Sequence, residues 1–93
     1  MAIRMTLPTM IVLRTLYTQG EMYGLQIIRQ TGLTSGATYP ILSRLHKTGL
    51  VKVRNEKGNP DALRRPLRRY YQLTRAGTRH TEEIMSRLEK LSL

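Results

Sequence analysis

The sequence predicts a mainly helical α+β domain, in which three helices precede a two-stranded hairpin and one further helix. Apolar residues recur at helical spacing in four stretches, and glycine-containing turns close the first three. Two short runs alternate apolar and polar residues, as half-buried strands do, and they flank a long arginine-rich segment. A chain of 93 residues is long enough to bury the core of one domain and too short for two.

Three helices are predicted in the first half of the chain, over about residues 6–19, 22–30 and 34–47. Pro8 lies in the first turn of the first helix, where its missing N–H costs no hydrogen bond. A glycine follows each helix at the position where helices commonly end (Gly20, Gly32 and Gly49). Leu7 and Ile11 fall on the side of the first helix opposite to its main apolar stripe, which indicates a second contact surface.

The second half of the chain is predicted to be a hairpin followed by a helix. Residues 50–54 and 69–73 are the two strands, and turn residues from Glu56 to Asp61 begin the connection between them. Thr74 is expected to cap the last helix. Two short helices joined by a tight turn, followed by a hairpin, are typical of a winged helix-turn-helix. We therefore expect such a domain over residues 1–74 and a C-terminal dimerisation helix over residues 75–93, packed as one unit.

The charge distribution indicates a polyanionic partner. The net charge is +10, and residues 44–79 alone contain eleven basic residues against Glu56 and Asp61. A basic surface of this size attracts nucleic acid or an anionic membrane. No apolar run approaches the length of a membrane span and no signal-peptide pattern begins the sequence, so we expect no membrane partner and a cytoplasmic, nucleoid-associated protein.

The sequence lacks the residues that several kinds of chemistry require. The chain has no cysteine, which excludes disulfides and cysteine-ligated metals. His46 and His80 are isolated from each other and from carboxylates at metal-binding spacing, and no glycine-rich phosphate loop or nucleophile–base arrangement is present. We therefore expect no metal, no cofactor and no enzymatic activity.

Four stretches resemble the PadR-like winged-helix transcriptional regulators. They are Met22–Ile27 in the second helix, Ser35–Leu45 in the third, Thr48–Val51 at the first strand, and Arg65–Gly77 across the second strand. The resemblance implies a homodimeric transcriptional regulator that binds double-stranded DNA sequence-specifically. It also implies that the regulator is a repressor. The chain departs from the family pattern at Ala37-Thr38, where the family usually has threonine then an aliphatic residue, at His46, where an acid is common, and in its single C-terminal helix.

The residues expected to contact DNA lie on the third helix and on the hairpin, and both groups are candidates because of their charge or hydrogen-bonding capacity. The third helix would enter the major groove with Ser35, Thr38, Tyr39, Ser43, Arg44 and Lys47. The hairpin would contact phosphates or the minor groove with Arg54, Lys57, Arg64, Arg65, Arg68 and Arg69. Arg44 is the best candidate for guanine, because its fork can bond O6 and N7 together. For Tyr39, a phosphate contact and packing against the second helix remain equally open.

A dimer is expected because the last helix carries more apolar surface than one domain can cover. The interface would comprise Leu7, Ile11, Ile84, Met85, Leu88 and Leu91. Two-fold symmetry would then place two recognition helices on one face of DNA, with half-sites about 34–36 Å apart.

Two other classes of function remain open from the sequence. One is a protein-interaction adaptor built on a winged helix, and the other is an RNA-binding or nonspecific architectural protein. The family resemblance also implies that some members respond to phenolic or aromatic ligands. With neither Trp nor Phe in the chain, a small-molecule effector has no support in the sequence.

Overall fold

The computed structural model describes residues 5–91, which form five helices and three strands. The helices are α1 (Leu7–Gln19), α2 (Gly24–Thr31), α3 (Ser35–Lys47), α4 (Pro60–Leu63) and α5 (Arg75–Leu91). The strands are β1 (Met22–Tyr23), β2 (Val51–Asn55) and β3 (Arg69–Leu73). This arrangement confirms the predicted mainly helical, winged helix-turn-helix class. Among these residues, no helix combines the length and hydropathy needed to cross a membrane.

Threonine side chains cap the three longer helices where the sequence predicted helix starts. The hydroxyl oxygen of Thr6 accepts a hydrogen bond from the amide of Thr9 at 3.3 Å, and that of Thr34 accepts from Ala37 at 3.1 Å. Thr74 accepts in the same way from the amide of Gly77 at 3.0 Å. Each bond satisfies one of the amides that a helix N-terminus leaves without an intrahelical partner.

The sheet has three strands, and the prediction of two was incomplete. Its order is β1-β3-β2, and both pairs are antiparallel. Met22 and Tyr23, which we expected to begin the second helix, pair with Tyr71 and Tyr70 of β3. Pairing with β3 keeps the backbone of Tyr23 extended, at φ −88° and ψ 163°, so α2 starts only at Gly24. The four-residue helix α4 was also missed, because its first two residues, Pro60 and Asp61, end a run of turn residues.

The core lies between the three N-terminal helices and one face of the sheet. Its buried side chains are Val12, Leu13, Leu16, Met22, Ile27, Ile41, Leu42, Leu45, Val51, Tyr71 and Leu73. α3 contributes Ile41, Leu42 and Leu45 to this core, and β3 contributes Tyr71 and Leu73. The start of α5 packs against the link between α3 and β2, where the Thr74 amide donates to the carbonyl of Leu50 at 3.0 Å.

Candidate nucleic-acid interface

The outer side of α3 is exposed along its whole length. Its buried stripe comprises Thr38, Ile41, Leu42 and Leu45, and the predicted contact residues Ser35, Tyr39, Ser43, Arg44 and Lys47 are all exposed. At 3.6 residues per turn, Tyr39 and Arg44 are separated by about 140° around the helix axis, and Ser43 and Lys47 lie between them. The helix therefore presents a broad polar surface rather than a single row.

Thr38 corrects our expectation for this helix. Its side chain is 0% exposed, and its hydroxyl donates to the carbonyl oxygen of Thr34 at 2.8 Å. A side chain in this position cannot reach DNA while α3 is intact. The sequence contained the signal, because Thr38 lies three, four and seven residues before Ile41, Leu42 and Leu45 on the same helical stripe.

The wing, defined here as residues 51–73, is stabilised by two bidentate ion pairs. The Arg54 guanidinium donates to both carboxylate oxygens of Glu21, through Nε at 3.1 Å and Nη2 at 2.9 Å. Arg65 donates to both oxygens of Glu56, through Nη1 at 2.7 Å and Nη2 at 2.9 Å. Glu56 also accepts the backbone amide of Arg68 at 3.0 Å, so that one carboxylate connects two parts of the returning chain.

Stacking against tyrosine rings holds the side chains of Arg54 and Arg68. The guanidinium of Arg54 lies 4.4 Å from the ring centroid of Tyr70, and that of Arg68 lies 4.0 Å from the ring centroid of Tyr23. The two rings pack edge to face, with centroids 5.8 Å apart. Such contacts stabilise a partly exposed arginine by about 0.5–1 kcal/mol each.

The six predicted wing residues therefore divide into two groups. Arg54, Arg65 and Arg68 are held by carboxylates or tyrosine rings and determine the shape of the wing. Lys57, Arg64 and Arg69 are exposed and have no ion pair to an acid among residues 5–91. The Arg69 guanidinium does face a ring, that of Tyr71, but at 5.8 Å from its centroid this contact is the longest of the three arginine–tyrosine contacts among the described residues. The second group is better suited to bind phosphate, because none of its members must first give up a carboxylate partner.

The Glu56 pair makes the wing sensitive to acid. The hydrogen bonds from Arg65 and from the Arg68 amide lower the pKa of Glu56 from 4.5 to about 2. Because the folded pKa is the lower one, the pair's contribution to stability is complete above about pH 4.5 and is lost as the pH falls toward 2. We expect Glu56→Gln to lower the free energy of unfolding at pH 7, with a difference from wild type that shrinks across this window. Urea unfolding at several pH values measures the difference.

The exposed carboxylate of Glu83 on α5 provides the control for this experiment. Glu83→Gln removes the same charge without an ion pair among the described residues, and should leave the pH dependence close to that of wild type. A Glu56→Gln variant as stable as wild type at pH 7 would show that the pair does not hold the wing.

Among the described residues, two clefts are bordered by both α3 and the wing. The larger, which we call the wing cleft, measures about 540 Å³ and lies between the first residues of α2, Tyr39 of α3, and residues 65–69 and Tyr71 of the wing. The smaller measures about 210 Å³ and lies between α3, where Ser43 and His46 line it, and β3. Tyr39 and Arg69 line both clefts, whereas no carboxylate among the described residues lines either. This region therefore attracts anions.

The residues predicted for a dimer interface lie on another side of the molecule. Five of them line one largely apolar groove of about 230 Å³ between α1 and α5. They are Leu7, Ile11, Ile84, Met85 and Leu88, and the other lining residues are Met10, Leu13, Arg14 and Thr81. The sixth, Leu91, follows one turn later on α5 and is 76% exposed. Leu7 and Leu88 are 66% and 50% exposed.

Comparison with solved structures identifies the same fold in bacterial regulators. BpsR of Bordetella bronchiseptica, whose DNA binding is regulated by 6-hydroxynicotinic acid, matches with a TM-score of 0.80 at 19% identity, over 95% of this chain and 62% of BpsR. A PadR-like transcription factor from Bacteroides fragilis matches with a TM-score of 0.77 at 23% identity, over 89% of this chain and 81% of that one. A PadR family regulator from Eggerthella lenta matches at 0.74 and 24% identity, over 89% and 72% of the two chains.

At these identities the similarity establishes the fold, and the chain spans less than two thirds of the length of BpsR. None of the curated proteins is a significant match to the sequence. The family assignment comes from the sequence itself, since residues 12–83 match the PadR-like transcriptional regulator family. Members of that family are regulators of transcription rather than enzymes. Because the match spans most of the chain and confirms the resemblance found in the sequence, this protein belongs to the PadR-like family of transcriptional regulators.

Proposed function

We propose that the protein is a repressor that binds a pseudo-palindromic operator in double-stranded DNA as a homodimer. The observation that carries this proposal is the common border of α3 and the wing, where Tyr39 and Arg69 line both clefts. An exposed helix beside an anion-attracting hairpin suits a protein that inserts the helix into the major groove and lays the hairpin on the adjacent backbone.

The exposed polar residues of α3 supply the base contacts in this proposal. Arg44 would bind guanine through O6 and N7, and Ser43 and Lys47 lie beside it on the exposed surface. Arg64, Arg69 and Lys57 would neutralise phosphates, or enter a narrow minor groove, where the negative potential is strongest.

The apolar groove between α1 and α5 supports the homodimer. A second copy related by two-fold symmetry would cover the exposed leucines of both chains with the same patch, as an isologous interface requires. Such a dimer would place its half-sites about 34–36 Å apart. A protein that occupies this length of duplex excludes other proteins from it, which is why we propose repression.

Selection of bound duplexes from a random pool tests the proposal. We expect an inverted repeat with half-sites about one helical turn apart, bound at least about 10³-fold more tightly than random duplex. Binding should also weaken steeply with salt, because counterions are released from the contacted phosphates. Equal affinity for all duplexes would instead indicate an architectural protein, and salt-insensitive capture of a single protein would indicate an adaptor.

Two substitutions separate base readout from phosphate binding. Arg44→Ala should weaken binding to the selected operator by about 1–3 kcal/mol and relax the preference for one base pair. Arg64→Ala should weaken binding to all duplexes by a similar factor and reduce the slope of log affinity against log salt by about two, one for each protomer of the proposed dimer. Titrations of each variant with operator and random duplex at several salt concentrations measure both effects. Identical behaviour of the two variants would contradict this division of roles.

A further inference from the structure

The first residue of α2 is a glycine that lies directly against the ring of Tyr39. A Cβ atom at Gly24 would lie 2.6 Å from Cε1 of Tyr39 and 2.7 Å from its hydroxyl oxygen. The φ angle of Gly24 is not positive, so the backbone conformation does not require glycine there. The absence of a side chain at Gly24 therefore permits the close approach of the tyrosine ring.

This contact holds the Tyr39 hydroxyl at the edge of the wing cleft. The side chain is 44% exposed, so it is packed on one side and open on the other. None of the hydrogen bonds found among residues 5–91 uses its hydroxyl, and Arg69 lines the same two clefts. An O–H donor and a guanidinium thus border a single anion-attracting region.

The geometry of duplex DNA indicates what would enter this region. Adjacent major and minor grooves are separated by one sugar–phosphate strand. A protein that places a helix in the major groove and a hairpin in the neighbouring minor groove must accommodate that strand between them. In this fold, the wing cleft has the wing on one side, and Tyr39 of α3 and the start of α2 on the other.

We propose that the wing cleft binds one phosphate of this strand through the Tyr39 hydroxyl and the Arg69 guanidinium, with Gly24 as the positioning residue that fixes the tyrosine ring. This inference rests on the proposed binding of duplex DNA. Ring and hydroxyl then have separate roles, since the ring packs against α2 and the hydroxyl donates to the phosphate. Both alternatives left open for Tyr39 by the sequence are thereby combined.

A double-mutant cycle with single-site methylphosphonate substitution tests the proposal. Tyr39→Phe keeps the ring and removes only the hydroxyl, and should weaken binding to the selected operator and to random duplex alike, by about 10-fold. Gly24→Ala displaces the ring and should cause a loss of similar size. The double variant should bind no more weakly than either single variant, because the two changes remove one interaction. Arg69→Ala should also lower the salt slope, whereas Tyr39→Phe should leave it unchanged.

The loss of affinity on neutralising a single phosphate distinguishes this contact from a purely structural effect, which would not depend on which phosphate is neutralised. Neutralising one phosphate in each half-site should weaken wild-type binding, and this penalty should be reduced in Tyr39→Phe and in Gly24→Ala. If the penalty is the same in all three proteins, or if the two losses multiply in the double variant, the inference is wrong while DNA binding stands. If Gly24→Ala does not fold, Tyr39→Phe with the phosphate scan decides alone. Wild-type protein that binds no duplex would contradict the proposed function itself.

Discussion

Replacing Gly77 with alanine is expected to lower the free energy of unfolding by about 2–3 kcal/mol, the typical cost of forcing an extra carbon into a packed site. Gly77 is buried in α5, and a Cβ atom there would overlap the carbonyl oxygen of Leu50 and lie 2.9 Å from the carbonyl carbon. Those atoms belong to the backbone, and the same carbonyl accepts the Thr74 amide that fixes the start of α5. Neither the helix nor the link between α3 and β2 can therefore yield easily.

The expected loss is large for a domain of this size, whose total stability should be about 5–14 kcal/mol. The melting temperature should fall by about 10–20 °C, which calorimetry or circular dichroism would measure. Gly36→Ala is the matched control, because Gly36 is also helical and the nearest heavy atom to a Cβ there is Thr34 Oγ1 at 3.9 Å. That variant should gain up to about 1 kcal/mol from helix propensity. A Gly77→Ala variant that gains stability in the same way would contradict the close packing of α5.

The fold was predictable because the residues that cap or end the helices lie next to them in the sequence. Thr6, Thr34 and Thr74 are caps that act within three residues of sequence, and Gly20 and Gly32 follow directly after their helices. Short-range interactions of this kind can be recognised from the sequence alone. β1 could not be, because two residues have no periodicity, and they become a strand only by pairing with β3, almost fifty residues later.

The functional surface was predictable in its charge and less so in its detail. Counting arginines in the wing could not separate Arg65, which pairs with Glu56, from Arg64, which has no such partner among the described residues. That distinction depends on how the hairpin folds back on itself. A glycine within a helix predicts a close neighbour, but the sequence did not show which residue this neighbour is, because Tyr39 contacts Gly24 from a different helix, fifteen residues later.

Replacing Leu88 with aspartate is expected to convert the proposed dimer into a monomer of 10.7 kDa. Leu88 is half exposed on the apolar groove, so the isolated domain should tolerate the change. In the proposed dimer, the same carboxylate would have to lose its water against the partner's apolar patch, and this costs several kcal/mol even though Arg14 lines the same groove. Sedimentation at micromolar concentration should therefore report twice 10.7 kDa for wild type and 10.7 kDa for the variant.

Loss of the dimer should also weaken operator binding by about 10²–10⁴-fold, because the second half-site then no longer binds at the high effective concentration that linkage provides. Affinity for a single half-site should stay nearly unchanged, which distinguishes this effect from damage to α3 or the wing. Ser86→Asp is the matched control, since it adds the same charge to α5 on the exposed side lined by Arg79, Glu83 and Arg87. That variant should remain dimeric and bind the operator almost as wild type does. If wild-type protein sediments at 10.7 kDa both with and without DNA, the groove does not join two copies, and the two-fold operator must be abandoned with it.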